Sequence, residues 1–236
     1  MNKRITNLIN TIERKSKETY KKFKMWNAFF NEILSIDPSN PNLHSLVFTQ
    51  KIIIYCGIVE SLINSDEGSK NKFKNVMNSL NEEEKLIFIH NVLISEKEQN
   101  NKIVEEAIDA YLNNSKEQLE EVFNNRLNYF YGFRSRLVHK GEWPGSALFE
   151  EDNRPLFFIT LTSSKKGGEE KPIKILERAF DIAFQISIDE LILRAINRYL
   201  GIVIENDDLK NILKKELINK GMATKNFQPF KKKFNI

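Results

Sequence analysis

The sequence predicts an all-α protein that carries a small β-hairpin insertion, and three observations predict it. Apolar residues return at steps of three and four along most of the chain, the period of helices with one buried face. Only nine glycines and six prolines punctuate 236 residues, too few for a turn-rich all-β chain. One stretch breaks the helical period: Leu156 to Thr162 is rich in Phe, Ile and Thr, and a Gly-containing turn, Ser163 to Lys171, separates it from a returning strand at Pro172 to Ile175.

The elements follow in order. From Ile5 to Leu34 the residues Leu8, Ile9, Ile12, Tyr20, Phe23, Trp26, Phe30 and Ile33 mark one long amphipathic helix. Two prolines in Asp37-Pro38-Ser39-Asn40-Pro41 end it in a turn or linker. Leu46 to Ile63 is apolar nearly all round, as a central helix covered by neighbours is. A helix over Ser69 to Leu80 comes next. Asn81 is then an N-cap ahead of Glu82, Glu83 and Glu84, opening a helix whose buried face reads Leu86, Ile89, Leu93 and Ile94. A short helix is expected over Lys102 to Leu112. A longer one starts at Ser115, where Gln118 completes a capping-box pattern, and it buries Leu119, Val122, Phe123, Leu127, Phe130, Phe133 and Leu137. Pro144 to Asp152 reads as a loop, and helical periodicity resumes from Leu176 to Leu200 and again from Asp207 to Ile218. The end, Lys225 to Ile236, mixes Phe with Lys and is expected to be loosely attached.

These elements divide into an N-terminal helix and Pro-containing linker (1–45), a main helical domain (46–205) with the hairpin insertion near 155–175, and a short helix with a basic tail (206–236). With 41% hydrophobic and 29% charged residues the chain has the composition of a globular protein, which excludes a disordered one. The longest apolar run, Ile52 to Ile63, is too short to span a bilayer, and Met1 to Glu18 lacks the apolar core of a secretory signal, so no membrane partner and a cytoplasmic location are expected. The single cysteine, Cys56, sits in an apolar run and is read as a small buried residue. No His, Cys or carboxylate set has metal-ligand spacing. The formal charge of +4 is uneven: residues 1–35 carry eight Lys/Arg against three Asp/Glu, and 209–236 carry eight against one. Such ends either grip nucleic-acid phosphates or are simply solvated.

The segment Tyr131-Gly132-Phe133-Arg134-Ser135-Arg136-Leu137-Val138-His139-Lys140-Gly141 carries the chemistry. Arginine presents a planar fork of donors to a phosphate, and histidine moves protons near neutral pH, a combination suited to RNA chemistry without a metal. At 100° per residue Arg134 falls inside the apolar sector, between Phe130 and Leu127, where an unpaired charge costs several kcal/mol. Tyr131 lies one turn earlier and Ser135 directly after.

Together with the earlier Gly57-Ile58-Val59-Glu60-Ser61-Leu62-Ile63, this segment resembles the HEPN superfamily, most nearly its Apea-like group, over roughly Leu46 to Leu200. The resemblance implies an up-and-down helical bundle, a homodimer through the motif helix, and a metal-independent endoribonuclease with no cofactor. In that likeness Arg134 and His139 match the Arg-x4–6-His motif and are the implied catalytic pair. Glu60 matches the acidic residue of the early helix and would orient Arg134, with Tyr131 and Ser135 supporting. Ser135 stands where many active members carry Asn, Asp or His. The implied reaction is attack of an RNA 2′-hydroxyl on its own phosphodiester, giving a 2′,3′-cyclic phosphate, in a toxin or antiviral setting with an antitoxin or defence-system partner. On a continuous helix Arg134 and His139 stand about 140° apart. Either the helix ends near Val138, with Gly141 as the stop, or two chains complete the site.

Blander readings stand beside these. Arg134 in a structural ion pair with Glu60, His139 as a capping residue and Tyr131 as a core aromatic would leave a non-catalytic RNA-binding or protein-interaction module. His44 and His90 are read as structural or surface residues.

Overall fold

Helices account for most of the described chain in the computed structural model, which covers residues 3–22, 24–25, 53–63, 66–94, 97–140, 147–149, 155–162, 172–178, 186, 188–204 and 207–236. The elements run α1 (Lys3–Lys15), α2 (17–22), α3 (53–60), α4 (Ser69–Met77), α5 (Glu82–Asn91), β1 (Val92–Ile94), α6 (Lys97–Leu112) and α7 (Lys116–Lys140). They continue β2 (Ala147–Phe149), β3 (Pro155–Thr162), β4 (Pro172–Arg178), α8 (Ile188–Tyr199), α9 (Leu209–Asn219), α10 (Met222–Lys225) and α11 (Phe227–Phe234). The helices pack as a bundle around one continuous core that draws on Leu8 and Ile12 near the start, Phe73, Phe88, Phe123 and Leu191 in the middle, and Leu213 and Phe230 near the end.

Local chemistry sets the helix limits. The long first helix expected from Ile5 is divided at Ser16, whose hydroxyl oxygen accepts from the Thr19 amide at 3.4 Å and so starts α2 afresh. Its expected course beyond residue 25, the Pro-containing linker, His44 and the Ser163 to Lys171 turn lie outside the described residues. At α5 the expected cap is present as a full capping box: Asn81 Oδ1 accepts from the Glu84 amide and Glu84 Oε2 accepts from the Asn81 amide, both at 2.8 Å. Leu86, Ile87, Phe88 and Ile89 are all buried, so α5 runs through the middle of the bundle. A ring ladder fastens α4, α5 and α7: Phe88 meets Phe123 at 5.4 Å and Phe130 at 5.6 Å, and Phe73 lies 5.9 Å from Phe130 and 5.4 Å from Tyr131.

The expected hairpin, β3 with β4, belongs to a four-stranded antiparallel sheet of order β1-β4-β3-β2. Three expectations are corrected by it. Leu93 and Ile94 do not continue helix α5; the chain turns extended at Val92 and pairs Leu93 with Leu176 and Ile94 with Ile175. Residues Leu176 to Arg178 extend β4 rather than opening a helix, because β4 is an inner strand with β1 on one side and β3 on the other. Ala147–Phe149, expected in a loop, forms β2 against β3.

The C-terminal tail is docked, not loose. Phe227, Phe230 and Phe234 recur at steps of three and four in α11, Phe230 is buried, and Phe234 meets Phe230 at 4.8 Å and Tyr111 at 6.3 Å. Lys233 secures the end by bonding Glu82 and Asn114 at 2.9 Å each. Among the described residues no helix is long and apolar enough to cross a membrane.

Candidate functional site

Glu60 is the last residue of α3, and the sequence after it explains why the helix stops there. The Ser61 hydroxyl donates back to the Ile58 carbonyl at 2.7 Å, and the Lys22 ammonium of α2 donates to that hydroxyl at 3.0 Å. The carboxylate is thereby left at a helix end, facing α7. Its two oxygens are divided between two residues one turn apart on that helix: Tyr131 donates to Oε1 at 3.0 Å and Arg134 Nη2 to Oε2 at 3.1 Å. The pair is largely enclosed, with the Arg134 side chain 14% exposed and that of Glu60 12%. Tyr131 is fixed from behind by Phe73, and the Arg134 guanidinium lies 5.4 Å from the Tyr131 ring.

These contacts titrate in one direction. Burial, followed by the negative charge and hydrogen bond of Glu60, pushes the Tyr131 hydroxyl up to about 12, so it stays a donor through the neutral range. Burial and the same carboxylate raise the Cys56 thiol, one turn before Glu60, which keeps it a thiol and no nucleophile.

Arg134 is only partly used by the protein. Nη2 holds Glu60, Nε is buried with no hydrogen-bond acceptor, and Nη1 has no partner among the described residues. A cleft of about 430 Å³ opens beside it, lined by Tyr131, Gly132, Arg134, Ser135 and His139 of α7 and by Gly68, Ser69 and Lys70 where α4 begins. That volume lies within the range of small-molecule sites, about 300–1,000 Å³. Among the described residues, neither Glu60 nor any other carboxylate lines it.

Of the residues singled out in the sequence, Tyr131, Arg134, Ser135 and His139 thus share one cleft and Glu60 stands behind it. Of the two alternatives for the motif, the one in which α7 stops near Val138 is not what the structure has, since the helix continues to Lys140. Ideal geometry places the Arg134 and His139 Cα atoms about 9 Å apart with 140° between their directions, and Tyr131 and Ser135 fill the angles between. His139 is exposed at the outer edge, Arg134 half-buried at the inner one. Gly68, Ser69 and Lys70 were not singled out by the sequence. Their approach to α7 depends on Phe73 packing against Phe130 and Tyr131, a tertiary contact with no local signal.

Among the described residues no three His, Cys, Asp or Glu side chains are grouped as metal ligands are. No family model, curated protein or solved structure matches the chain.

Proposed function

We propose that this protein is a HEPN-type endoribonuclease of the Apea-like kind and that the α7 cleft is its active site. The observation that supports this most directly is an arginine anchored on one donor and open on another, in the same cleft as a histidine. Glu60 fixes the guanidinium plane, so Nη1 meets a phosphate without first losing rotamer freedom. In the reaction His139 takes the proton of the RNA 2′-hydroxyl as that oxygen attacks the adjacent phosphorus, or returns a proton to the departing 5′-oxygen. Arg134 stabilises the charge that gathers on the phosphorane oxygens. The bond to the 5′-oxygen breaks, and the products are a 2′,3′-cyclic phosphate and a 5′-hydroxyl. Ser135 orients the phosphate as a donor, while Tyr131, whose one hydroxyl proton is held by Glu60, steadies the carboxylate that fixes Arg134.

One cleft contains one imidazole, and proton removal and proton return from opposite sides of phosphorus call for two. A two-fold homodimer through α7 supplies the second His139, and the exposed Val138 beside it belongs to that contact. A toxin or antiviral role, with an antitoxin or other defence-system partner, a nucleotidyltransferase among them, belongs to this reading. So does a cytoplasmic location.

The test is incubation with RNA in EDTA and identification of the new ends. Cyclic-phosphate ends are expected from the wild-type protein and a loss of about 10²–10⁴-fold from His139→Ala. Cleavage that persists in both His139→Ala and Arg134→Ala rejects the assignment. The exposure of His139, and its wide angle from Arg134, favour a second reading in which the cleft binds RNA, or a partner protein, without cutting. Saturable binding with unchanged RNA ends would select it.

A further inference from the structure

We infer that Lys70 is a positioning residue: with the adjoining first turn of α4, it holds a second phosphate of the RNA strand, one nucleotide from the phosphate at Arg134. The inference rests on the reading of the cleft as a phosphodiester site. Two elements build the cleft, and each brings a cation: Arg134 from α7 and Lys70 from α4. With no carboxylate among the described residues that line it, both charges act on whatever enters. Lys70 has no ion-pair partner among the described residues, whereas Arg134 is tied to Glu60. The backbone adds to this. Gly68 precedes α4 without a side chain to cap it, and the Asn71 and Lys72 amides both turn inward to the Gly68 carbonyl at 2.8 and 3.2 Å. The amides of Ser69 and Lys70 are left as the outward donors of the first turn, at a cleft wall these same residues form. At about 430 Å³ the cleft is larger than one phosphate needs, and a strand with consecutive phosphates would set one at each cation with the nucleoside between them.

Two substitutions separate the parts of this subsite. Lys70→Gln removes the side-chain charge. Ser69→Pro removes one outward amide and leaves the helix intact, because proline suits the first helical position and Gly68, at φ −61° and ψ 145°, already has the backbone that a residue before proline adopts. The probes are 2′-deoxy dinucleotides, which cannot be cleaved by 2′-hydroxyl attack, with and without a terminal 5′-phosphate. With the wild-type protein the added phosphate is expected to tighten Kd roughly five- to tenfold. Each variant is expected to lose part of that gain while binding the unphosphorylated probe as before, and on RNA Lys70→Gln raises KM and leaves kcat unchanged. Its salt dependence should also fall by about 0.7 in the slope of log K against log salt. An equal gain from the added phosphate in wild type and Lys70→Gln overturns the inference, as does the absence of any gain in wild type. If RNA is cut but the gain is absent, this subsite is wrong and the ribonuclease reading stands. If the gain is present but RNA is not cut, the reverse holds.

Discussion

Two arginine clusters sit in this bundle, and they use their donors differently. On α8, Arg194 gives Nε to Glu190 at 3.0 Å and Nη1 to both Glu84 at 3.2 Å and Asp207 at 3.1 Å. One turn on, Arg198 holds both oxygens of Glu84, at 2.7 and 3.0 Å, and reaches Asp207 at 3.0 Å. Arg4 of α1 closes the group on Glu190 at 3.3 Å. Three cations meet three carboxylates, and Glu84, Glu190 and Arg194 are wholly buried. Burial alone would depress the Arg194 pKa, but Asp207, Glu190 and Glu84 outweigh it and hold it above the ordinary arginine value. On α7, by contrast, one arginine has one carboxylate and keeps Nη1 at an open cleft. Burial alone does not separate Arg194 from Arg134; the donors that their carboxylates leave over do.

The sharpest way to break the comparison is to remove the hub of the first cluster. Glu84 is both the third residue of the α5 capping box and the acceptor for two arginines, so Glu84→Ala is expected to cost about 3–5 kcal/mol in chemical denaturation. A cost below 1 kcal/mol would mean that the saturated cluster is not structural. Next comes Arg134→Ala. On the proposed ribonuclease reading it is expected to lower RNA cleavage about 10²–10³-fold while costing only about 1–3 kcal/mol of stability, since Glu60 keeps Tyr131 as a donor. Loss of fold instead of loss of cleavage would place Arg134 with the α8 group. Tyr131→Phe is smaller again, about 0.5–1.5 kcal/mol by denaturation, with cleavage kept within several-fold because the orienting ion pair survives. A further effect is alkaline. The unfolded chain releases the Tyr131 proton near pH 10, whereas the folded chain keeps it to about 12, so stability is full below the first value and declines between the two. Tyr111, raised by burial and then by the charge of Glu83, acts in the same direction. A stability curve between pH 9 and 12 should be flatter for Tyr131→Phe than for wild type.

How much of this was legible in the sequence depends on whether the cause was local. The α5 capping box is written in Asn81 and Glu84, three residues apart, and α7 in its spaced Phe and Leu residues. Arg134 was conspicuous because a charge interrupts an apolar sector. By the same logic Arg126 and Arg194, both buried, were open to notice, but Arg194 follows its partner Glu190 by one helical turn and so looks like an ordinary surface pair. The misjudged segments were decided elsewhere in the chain. Leu93 and Ile94 are strand because Leu176 and Ile175 stand beside them, some eighty residues away. The Phe and Lys of the tail looked unattached until Tyr111, Glu82 and Asn114 supplied its dock. Lys70 belongs with these: its own neighbourhood says only that a helix begins.

The unbroken course of α7 through His139 makes the spacing of the motif a gauge. With one residue fewer between them, arginine and histidine would stand about 40° apart, neighbours on one face that touch each other across a single turn. One residue more would carry the imidazole to about 240°, round toward the core side. Five steps keep the two groups from touching one another while both still line the cleft. Because backbone hydrogen bonds fix that interval rather than side-chain packing, variants that loosen the core should keep it until α7 itself unwinds. The proposed cleavage activity should then be lost together with the helicity of α7, after any partial loosening of the sheet or the tail.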